Sequence, residues 1–305
     1  MIDVVIVNWN SGNYLKKCID SLLVANNVKY IQTIFIIDNN SADDSLKIIS
    51  DHTKIKILKN SDNKGFAKAC NQGFKLCNTS YVLLLNPDAQ AQEKTLADCV
   101  SFMDAREEID ILGCRLVDDN GNTSYSCARF PTPLRFFYDI TGLSKIAPKI
   151  FTPAILMTDW NHKESRFVDE VMGAFMFIRF STFKRTGYFD ERYFVYYEEL
   201  DFSKTLSQQG GKSYFNADIT AIHSGEGTTH SIKAMRLFLN LNSRLKYCKK
   251  HFTQSGNFFV WFCTFFIEPA TRILFSLAKS GFKEIKEIVK GYKLLIFERR
   301  NSDIE

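Results

Sequence analysis

Four short apolar runs, separated by segments with helical spacing, constrain the fold of this 305-residue chain more than any other feature. The intervening segments place apolar residues three or four positions apart, as amphipathic helices do. This β-α-β-α-β-α-β order predicts a mostly parallel α/β sheet flanked by helices, because parallel strands need crossover connections. The predicted strands are residues 4–7, 31–37, 54–58 and 81–85, and one of the predicted helices covers 43–49.

Polar side chains stand where three of these strands end. Because the carboxyl ends of parallel strands meet at one edge of a sheet, we expect them to share a crevice, although helix caps and turns also favour such residues. Neither GxGxxG after the first strand nor GxxxxGK[ST] occurs, which excludes a dinucleotide fingerprint and a P-loop. A carboxylate here would suit a divalent metal that bridges a diphosphate. The residues are Asn8 and Asn10, Asp38 and Asn40, and Asn86 and Asp88.

A second acidic cluster, Glu198, Glu199 and Asp201, lies among aromatic residues. Closely spaced and partly dehydrated carboxylates raise at least one pKa toward a value useful for a general base. The alternative is an acidic helix N-terminus, which the helix dipole favours in any protein. Between the two clusters, residues 129–163 read as a long irregular stretch of the kind that forms lids or acceptor-binding segments.

The C-terminal part of the chain is basic and apolar. Residues 244–300 carry 12 Lys and Arg against 4 Asp and Glu, whereas the whole chain has a net charge of only +5. Apolar residues recur at helical spacing over 272–297, flanked by lysines, which predicts an interfacial amphipathic helix on anionic lipid; a helical cap packed on the catalytic domain is the alternative. The apolar run 258–267 is short and Pro269 follows it, so we expect no spanning helix. No nucleic-acid-binding motif is present.

The motifs resemble those of inverting nucleotide-sugar glycosyltransferases with the GT-A fold, glycosyltransferase family 2. The nearest branch is that of bacterial rhamnosyltransferases that make O-antigen, capsule or cell-wall polysaccharide. The resemblance covers residues 1–230 and rests on segments that stand in the family's order. They are Val4–Ser11, Ile36–Ser41, Asn63–Ala67 with Asn71, Leu84–Asp88, Val168–Asp169 with Gly173–Ala174, Gly187–Glu191 and Tyr197–Asp201.

The resemblance implies a role for each matching residue. Asp38 would contact the pyrimidine base, and Asp88 with His223 would hold Mg²⁺ or Mn²⁺. Glu199 would be the general base, with Glu198 as the alternative, because many relatives carry Asp at the position of Glu199. Gly173, Ala174 and Asp201 would serve the acceptor side or the local structure. The remaining nucleotide-sugar contacts would come from Val7, Asn8, Asn10, Asn40, Gly65, Asn71 and Asn86; Asn86 stands where many relatives have a first aspartate.

The resemblance also implies an organisation and an activity. A GT-A catalytic domain would span 1–242, with a nucleotide-binding half (1–117) and an acceptor-binding half (118–242), followed by a membrane-associating helical extension (243–305). The protein would be a metal-dependent hexosyltransferase, peripheral on the cytoplasmic face of the inner or plasma membrane. It would transfer L-rhamnose from dTDP-β-L-rhamnose to a polyprenyl-diphosphate-linked saccharide.

Two alternatives stay open at this point. The first is the same fold with a UDP-sugar donor, for galactofuranosyl, galactosyl or N-acetylglucosaminyl transfer, since dTDP and UDP differ by one methyl and one hydroxyl group. The second is a non-catalytic protein that binds a membrane surface. Retention of Asp38, Asp88, Glu198, Glu199 and His223 argues against the second.

Overall fold

The computed structural model describes residues 1–225, 233–279 and 282–302, which group into two compact units. The first unit comprises residues 1–130, 160–191 and 198–225 and contains the sheet. The second comprises 131–159, 192–197 and the described residues from 233 onward, and its regular structure is helical. The predicted start of the C-terminal extension, residue 243, falls inside one helix of this second unit, Lys233–His251.

The first unit contains a nine-stranded mixed sheet and a separate two-stranded sheet. The strands are β1 (Ile2–Asn8), β2 (Ile31–Asp38), β3 (Ile55–Lys59), β4 (Tyr81–Leu85), β5 (Ala89–Ala91), β6 (Ile111–Val117), β7 (Cys127–Ala128), β8 (Arg166–Val168), β9 (Glu170–Val171), β10 (Phe175–Arg179) and β11 (Ser213–His223). The order in the large sheet is β3-β2-β1-β4-β10-β6-β11-β5, and β8 pairs with β11. β1 to β4 run parallel, as predicted, whereas β10 is antiparallel to both of its neighbours. The two-stranded sheet joins β7 and β9.

Helices cover this sheet and make up the second unit. Every residue of β1 and β4 is buried, which explains their continuous apolar sequence: a strand covered on both faces does not alternate. The helices are α1 (Asn13–Leu23), α2 (Ala25–Val28), α3 (Phe66–Phe74), α4 (Thr95–Asp104), α5 (Pro133–Thr141), α6 (Leu143–Ile146), α7 (Ser181–Thr186), α8 (Glu198–Gln208), α9 (Lys233–His251), α10 (Gln254–Phe262), α11 (Glu268–Lys279) and α12 (Phe282–Ser302).

Two predictions of local structure are wrong. Residues 43–49 form turns rather than a helix, because the Asp43 carboxylate accepts hydrogen bonds from the Gly12 N–H and from Ser45, and such side-chain bonds compete with helix formation. Residues 129–163 are not irregular throughout. Thr132 caps α5 and Pro133 occupies its first position, where a proline needs no N–H.

The expectation that Pro269 ends the apolar C-terminal segment is also wrong. A π turn, Cys263–Ile267, connects α10 to α11, and the Glu268 N–H donates to the Cys263 carbonyl five residues back. This wider turn accommodates the proline, which has no N–H to donate. Residues Gln254–Ala278 therefore form one helix that is long and apolar enough to cross a membrane by length and composition. The absence of a spanning helix stays a prediction.

Candidate active site

Asn8 and Asp38, predicted at neighbouring strand ends, lie directly opposite each other in the β1–β2 register, and both are buried. Asn8 Nδ2 donates to Asp38 Oδ1 at 2.7 Å and approaches the hydroxyls of Ser41 and Ser45 at 3.1 and 2.9 Å. Asp38 Oδ2 accepts from the Ser41 N–H at 3.2 Å. A carboxylate has about four acceptor positions, so Asp38 is oriented by these bonds and can still accept from a ligand.

The loops that follow β1 and β2 are joined by reciprocal hydrogen bonds. The Asn10 N–H donates to Ser41 Oγ at 3.0 Å, and Asn10 Oδ1 accepts from the Ala42 N–H at 2.7 Å. Asn10 and Asn40 have φ angles of 53° and 62°, in the left-handed region that asparagine tolerates better than most residues. Val7 is buried in β1. These residues therefore share one edge of the sheet, and their contact with a nucleotide stays a prediction.

Gly65 immediately precedes α3, and Asn71 lies in the middle of that helix. Gly65 has φ 84° and ψ 167°, a conformation that favours glycine, and its carbonyl accepts from Asn39 Nδ2 at 3.0 Å. Asn71 Nδ2 donates to the Phe189 carbonyl and to Glu191 Oε1 at 2.8 and 3.0 Å, while its Oδ1 accepts from the Phe189 N–H at 2.9 Å. The Asn71 amide thus fixes residues 189–191, and its predicted sugar contact is untested.

Asp88 and His223, the predicted metal ligands, lie together. Asp88 Oδ1 is 3.4 Å from His223 Nε2, and both side chains are mostly buried. The β5–β11 pairing produces this contact, because it places His223 opposite Ala89. The carboxylate oxygen suits both Mn²⁺ and Mg²⁺, and Mg²⁺ would complete its coordination with water and phosphate oxygens. The imidazole nitrogen suits Mn²⁺ better than Mg²⁺. Within residues 1–225, 233–279 and 282–302, no group of three or more His, Cys, Asp and Glu forms a metal site.

Glu198, Glu199 and Asp201 all stand in the first turn of α8, where the helix dipole favours negative charge. They differ in access: Glu198 and Asp201 are buried, whereas Glu199 is half-buried. Burial raises the pKa of Glu199, and hydrogen bonds from its own N–H and that of Gly173 offset part of this rise. A Cβ atom on Gly173 would lie 2.4 Å from Glu199 Oε1, so the glycine allows the carboxylate to pack against backbone.

Glu170 was missed by the sequence analysis and belongs to the same region. It lies in β9, opposite Ala128 of β7, and is buried. Burial raises its pKa well above the ordinary value, and the charges of Glu199 and Asp169 raise it further. Its Oε2 has no hydrogen-bond partner among the residues that the structure describes. The feature of the sequence that could have identified Glu170 is its position as an acidic residue next to Val171 in an apolar stretch.

The short loop between β9 and β10 connects the candidate base to the candidate metal ligands. Gly173 packs against Glu199, and the next carbonyl, that of Ala174, accepts from the Asn86 N–H at 3.1 Å. Asn86 in turn begins the turn that carries Asp88. A carboxylate with a raised pKa and the candidate metal ligands thus border one loop, an arrangement suited to proton removal beside a departing anion.

Solved structures of sugar-transferring enzymes share this fold. The crystal structure of GalNAc-T7 with UDP, GalNAc and Mn²⁺ matches 73% of this chain and 43% of its own length, with a TM-score of 0.55 and 17% identity. The mannosyltransferase PcManGT from Pyrobaculum calidifontis, in complex with GDP-Man and Mn²⁺, matches 99% of this chain and 82% of its own, with a TM-score of 0.53 and 12% identity. The fold is therefore that of the GT-A glycosyltransferases, as predicted.

Sequence comparison assigns the family. The family described as Glycosyl transferase family 2 matches residues 3–164, more than half of the chain. The chain belongs to glycosyltransferase family 2 and is a glycosyltransferase. Rhamnosyltransferase WbbL of Escherichia coli K12 is 24% identical over 85% of this chain and 97% of its own length. The N-acetylglucosaminyl-diphospho-decaprenol L-rhamnosyltransferase of Mycobacterium tuberculosis is 22% identical over 73% of this chain and 76% of its own.

Proposed function

We propose that this glycosyltransferase transfers L-rhamnose, with inversion, from dTDP-β-L-rhamnose to a polyprenyl-diphosphate-linked saccharide at the cytoplasmic membrane surface. The observation that carries the proposal is the half-buried Glu199 carboxylate, which has a raised pKa and packs against the loop that also contacts the Asp88 turn. The donor and the acceptor are supported by two relatives that are named rhamnosyltransferases, one of them for a diphospho-decaprenol substrate.

Glu199 acts as the general base in this proposal. It accepts the proton of the acceptor hydroxyl while that oxygen attacks the anomeric carbon from the face opposite the diphosphate. The bond between the anomeric carbon and the diphosphate oxygen breaks, and the nucleoside diphosphate leaves with the bonding electrons. A raised pKa makes the Glu199 carboxylate a stronger base toward the proton of the acceptor hydroxyl.

The different exposure of the two neighbouring glutamates supports Glu199 over Glu198. A general base must reach the hydroxyl directly or through one water. Glu198 is 1% exposed, whereas Glu199 is half-buried and keeps an accessible surface. Glu198 then serves the start of α8, where burial beside the helix N-terminus is favourable.

Asp88 and His223 would hold Mg²⁺ or Mn²⁺ in this proposal. When bound, such an ion offsets the negative charge that develops on the diphosphate oxygens. Two protein ligands leave several coordination positions for phosphate oxygens and water, so we expect loose metal binding without nucleotide. The Mn²⁺ present with GalNAc-T7 and PcManGT is consistent with this role.

The test is a transfer assay with purified full-length protein, a synthetic polyprenyl-diphosphate saccharide and either dTDP-rhamnose or UDP-sugars. Glu199→Gln and Asp88→Ala should each abolish turnover, and Glu198→Gln should retain it; Glu107→Gln changes an exposed carboxylate and serves as the matched control. Turnover with a UDP-sugar instead would keep the enzyme class and replace the donor. Full activity of both Glu199→Gln and Asp88→Ala would refute the site assignment.

Binding gives an independent measurement. Thermal shifts with dTDP, UDP and GDP, each with and without Mn²⁺, report ligands that bind the native state. We expect the largest shift with dTDP and Mn²⁺, and a reduced metal effect in Asp88→Ala. A response to no nucleotide would favour the non-catalytic alternative, a protein that binds a membrane surface.

A further inference from the structure

The continuous helix Gln254–Lys279, formed by α10, the π turn and α11, has two faces of opposite character. We call it the apolar helix. At about 1.5 Å per residue its 25-residue apolar part would reach across the hydrocarbon core of a bilayer. Its length is compatible with crossing a membrane or with lying in the membrane surface. The residues on its two faces distinguish these two orientations.

The inner face of the apolar helix is attached to the second unit through charged groups. Glu268 is buried and forms ion pairs with Arg244 of α9 and with Arg272, the latter at 2.7 Å. Arg244 is also buried and donates to Thr264 Oγ1 at 2.9 Å. A spanning orientation would separate the helix from α9 and move Glu268 and Arg272 toward the hydrocarbon, where charged side chains are strongly disfavoured.

The outer face is a row of exposed apolar side chains that extends along the helix. Phe258, Phe262 and Phe266 follow one another at intervals of four residues and are 63%, 42% and 60% exposed. Leu274 and Leu277 continue the row at 66% and 50% exposure. Between 254 and 278 the only charged residues are Glu268 and Arg272, which pair with each other. Soluble monomers rarely expose so long an apolar row.

Basic residues precede and follow the apolar helix in the chain. Lys249 and Lys250, exposed in the last turn of α9, precede the apolar helix by a few residues. Exposed Lys286, Lys290 and Lys293 follow it on α12. The side chains at 279 and 283, which were included in the predicted lysine flank, lie outside the described residues. Exposed lysines on both sides of an apolar segment in the sequence complement anionic lipid head groups.

We propose that the apolar helix lies in the plane of an anionic membrane, with the row Phe258, Phe262, Phe266 and Leu274 inserted among the lipids and without crossing the bilayer. The proposed function supplies only the reason for this membrane contact, since a polyprenyl-linked acceptor would lie in the same membrane. It moves the lipid contact from the predicted stretch 272–297 to one that begins at 254. The Arg244–Glu268–Arg272 group keeps the helix in this orientation.

The test is co-sedimentation of full-length protein with vesicles of phosphatidylcholine alone or mixed with phosphatidylglycerol. Replacing Phe258, Phe262 and Phe266 together by serine should weaken binding to the mixed vesicles by about tenfold per phenylalanine. The matched control replaces Leu76 and Phe167, which are exposed to 47% and 52% in the first unit, by serine and should bind as wild type does. Melting temperatures establish that both variants are folded.

Two further measurements separate the possible outcomes. Alkaline extraction should release the wild-type protein from the vesicles; retention would mean a spanning helix and would overturn the proposal. Equal vesicle binding by wild type and the phenylalanine variant would also overturn it. So would a dimeric wild type and a monomeric variant, neither of which binds vesicles, because the row would then be a contact between two copies of the chain. Turnover of a water-soluble acceptor analogue should be unchanged in the variant, so a failed transferase assay and failed lipid binding are distinguishable.

Discussion

Gly173→Ala tests the role of Glu199 through geometry, without changing its charge. A Cβ atom at position 173 would lie 2.4 Å from Glu199 Oε1, and ordinary contacts begin at 3.4 Å, so the carboxylate must move by about 1 Å. A displacement of about 1 Å at a reacting group costs on the order of a hundredfold in rate. That loss corresponds to about 2.7 kcal/mol of transition-state stabilisation. We therefore expect kcat/KM to fall on the order of a hundredfold.

The assay compares kcat and KM for the donor with the thermal shift that the nucleotide produces. The shift should be preserved in Gly173→Ala, because the predicted contact with the base, Asp38, lies at the end of β2 and not on the loop that holds Gly173. Gly73→Ala is the matched control: its Cβ would also meet an atom at 2.4 Å, in this case Val5 Cγ1 in the core. It should lose stability, about 1–3 kcal/mol for overpacking, and keep its turnover below its melting temperature.

The base assignment would be refuted if Gly173→Ala were folded and kept turnover within a few-fold of wild type. Equal losses of turnover in the two glycine variants would also refute it, since they would indicate a general effect of overpacking. A loss confined to Gly173→Ala, rescued in part by Glu199→Asp in the same chain, would support it, because the shorter side chain restores the space that the new methyl group occupies.

Three other predictions follow from buried polar groups. Asn71→Ala leaves the Phe189 N–H and carbonyl unpaired and should destabilise the protein by about 1–3 kcal/mol in urea unfolding; unchanged stability would contradict it. The pKa of Glu170 is higher in the folded than in the unfolded protein. The contribution of its protonated form to the free energy of unfolding is therefore fully present below the ordinary pKa of about 4.3 and is lost as the pH rises above that value. Glu170→Gln should therefore match wild type in acid and become progressively more stable than wild type at higher pH, and parallel pH profiles would contradict this. Arg244→Met leaves Glu268 paired with Arg272 alone and should cost about 3–5 kcal/mol, measured by urea unfolding, with partial recovery on adding Glu268→Gln; no recovery would contradict the ion-pair account.

The sequence predicted the parallel half of the fold because both of its signals are local. Apolar runs identify buried strands, and helical spacing between them requires parallel crossovers. Polar residues at the ends of adjacent parallel strands must then be neighbours, and Asn8 does face Asp38. The predicted helix at residues 43–49 is wrong because of hydrogen bonds that the spacing of apolar residues does not reveal. The Asp43 carboxylate binds Gly12, 31 positions away, and the segment that follows it forms turns instead of a helix.

Burial of charge was harder to predict than burial of apolar residues. Glu170 and Glu268 are acidic residues next to apolar residues in the sequence, and both are buried. Glu268 is balanced by two arginines, one 24 positions earlier and one 4 positions later. Glu170 has an unsatisfied Oε2 among the described residues and a raised pKa instead. Only the three-dimensional arrangement distinguishes a buried carboxylate that is paired from one that is neutral.

The antiparallel strand β10 explains why the candidate base and the candidate metal ligands share a loop. In a wholly parallel sheet, the residues before one strand and those after its neighbour lie at opposite edges. β10 runs antiparallel to β4, with Phe175 opposite Leu85, so the residues that precede β10 lie beside those that follow β4. This register places Ala174 against Asn86 and positions Gly173 under Glu199. Reversal of one strand thus brings together the candidate base and the candidate metal-binding turn, which the sequence separates by more than 100 residues.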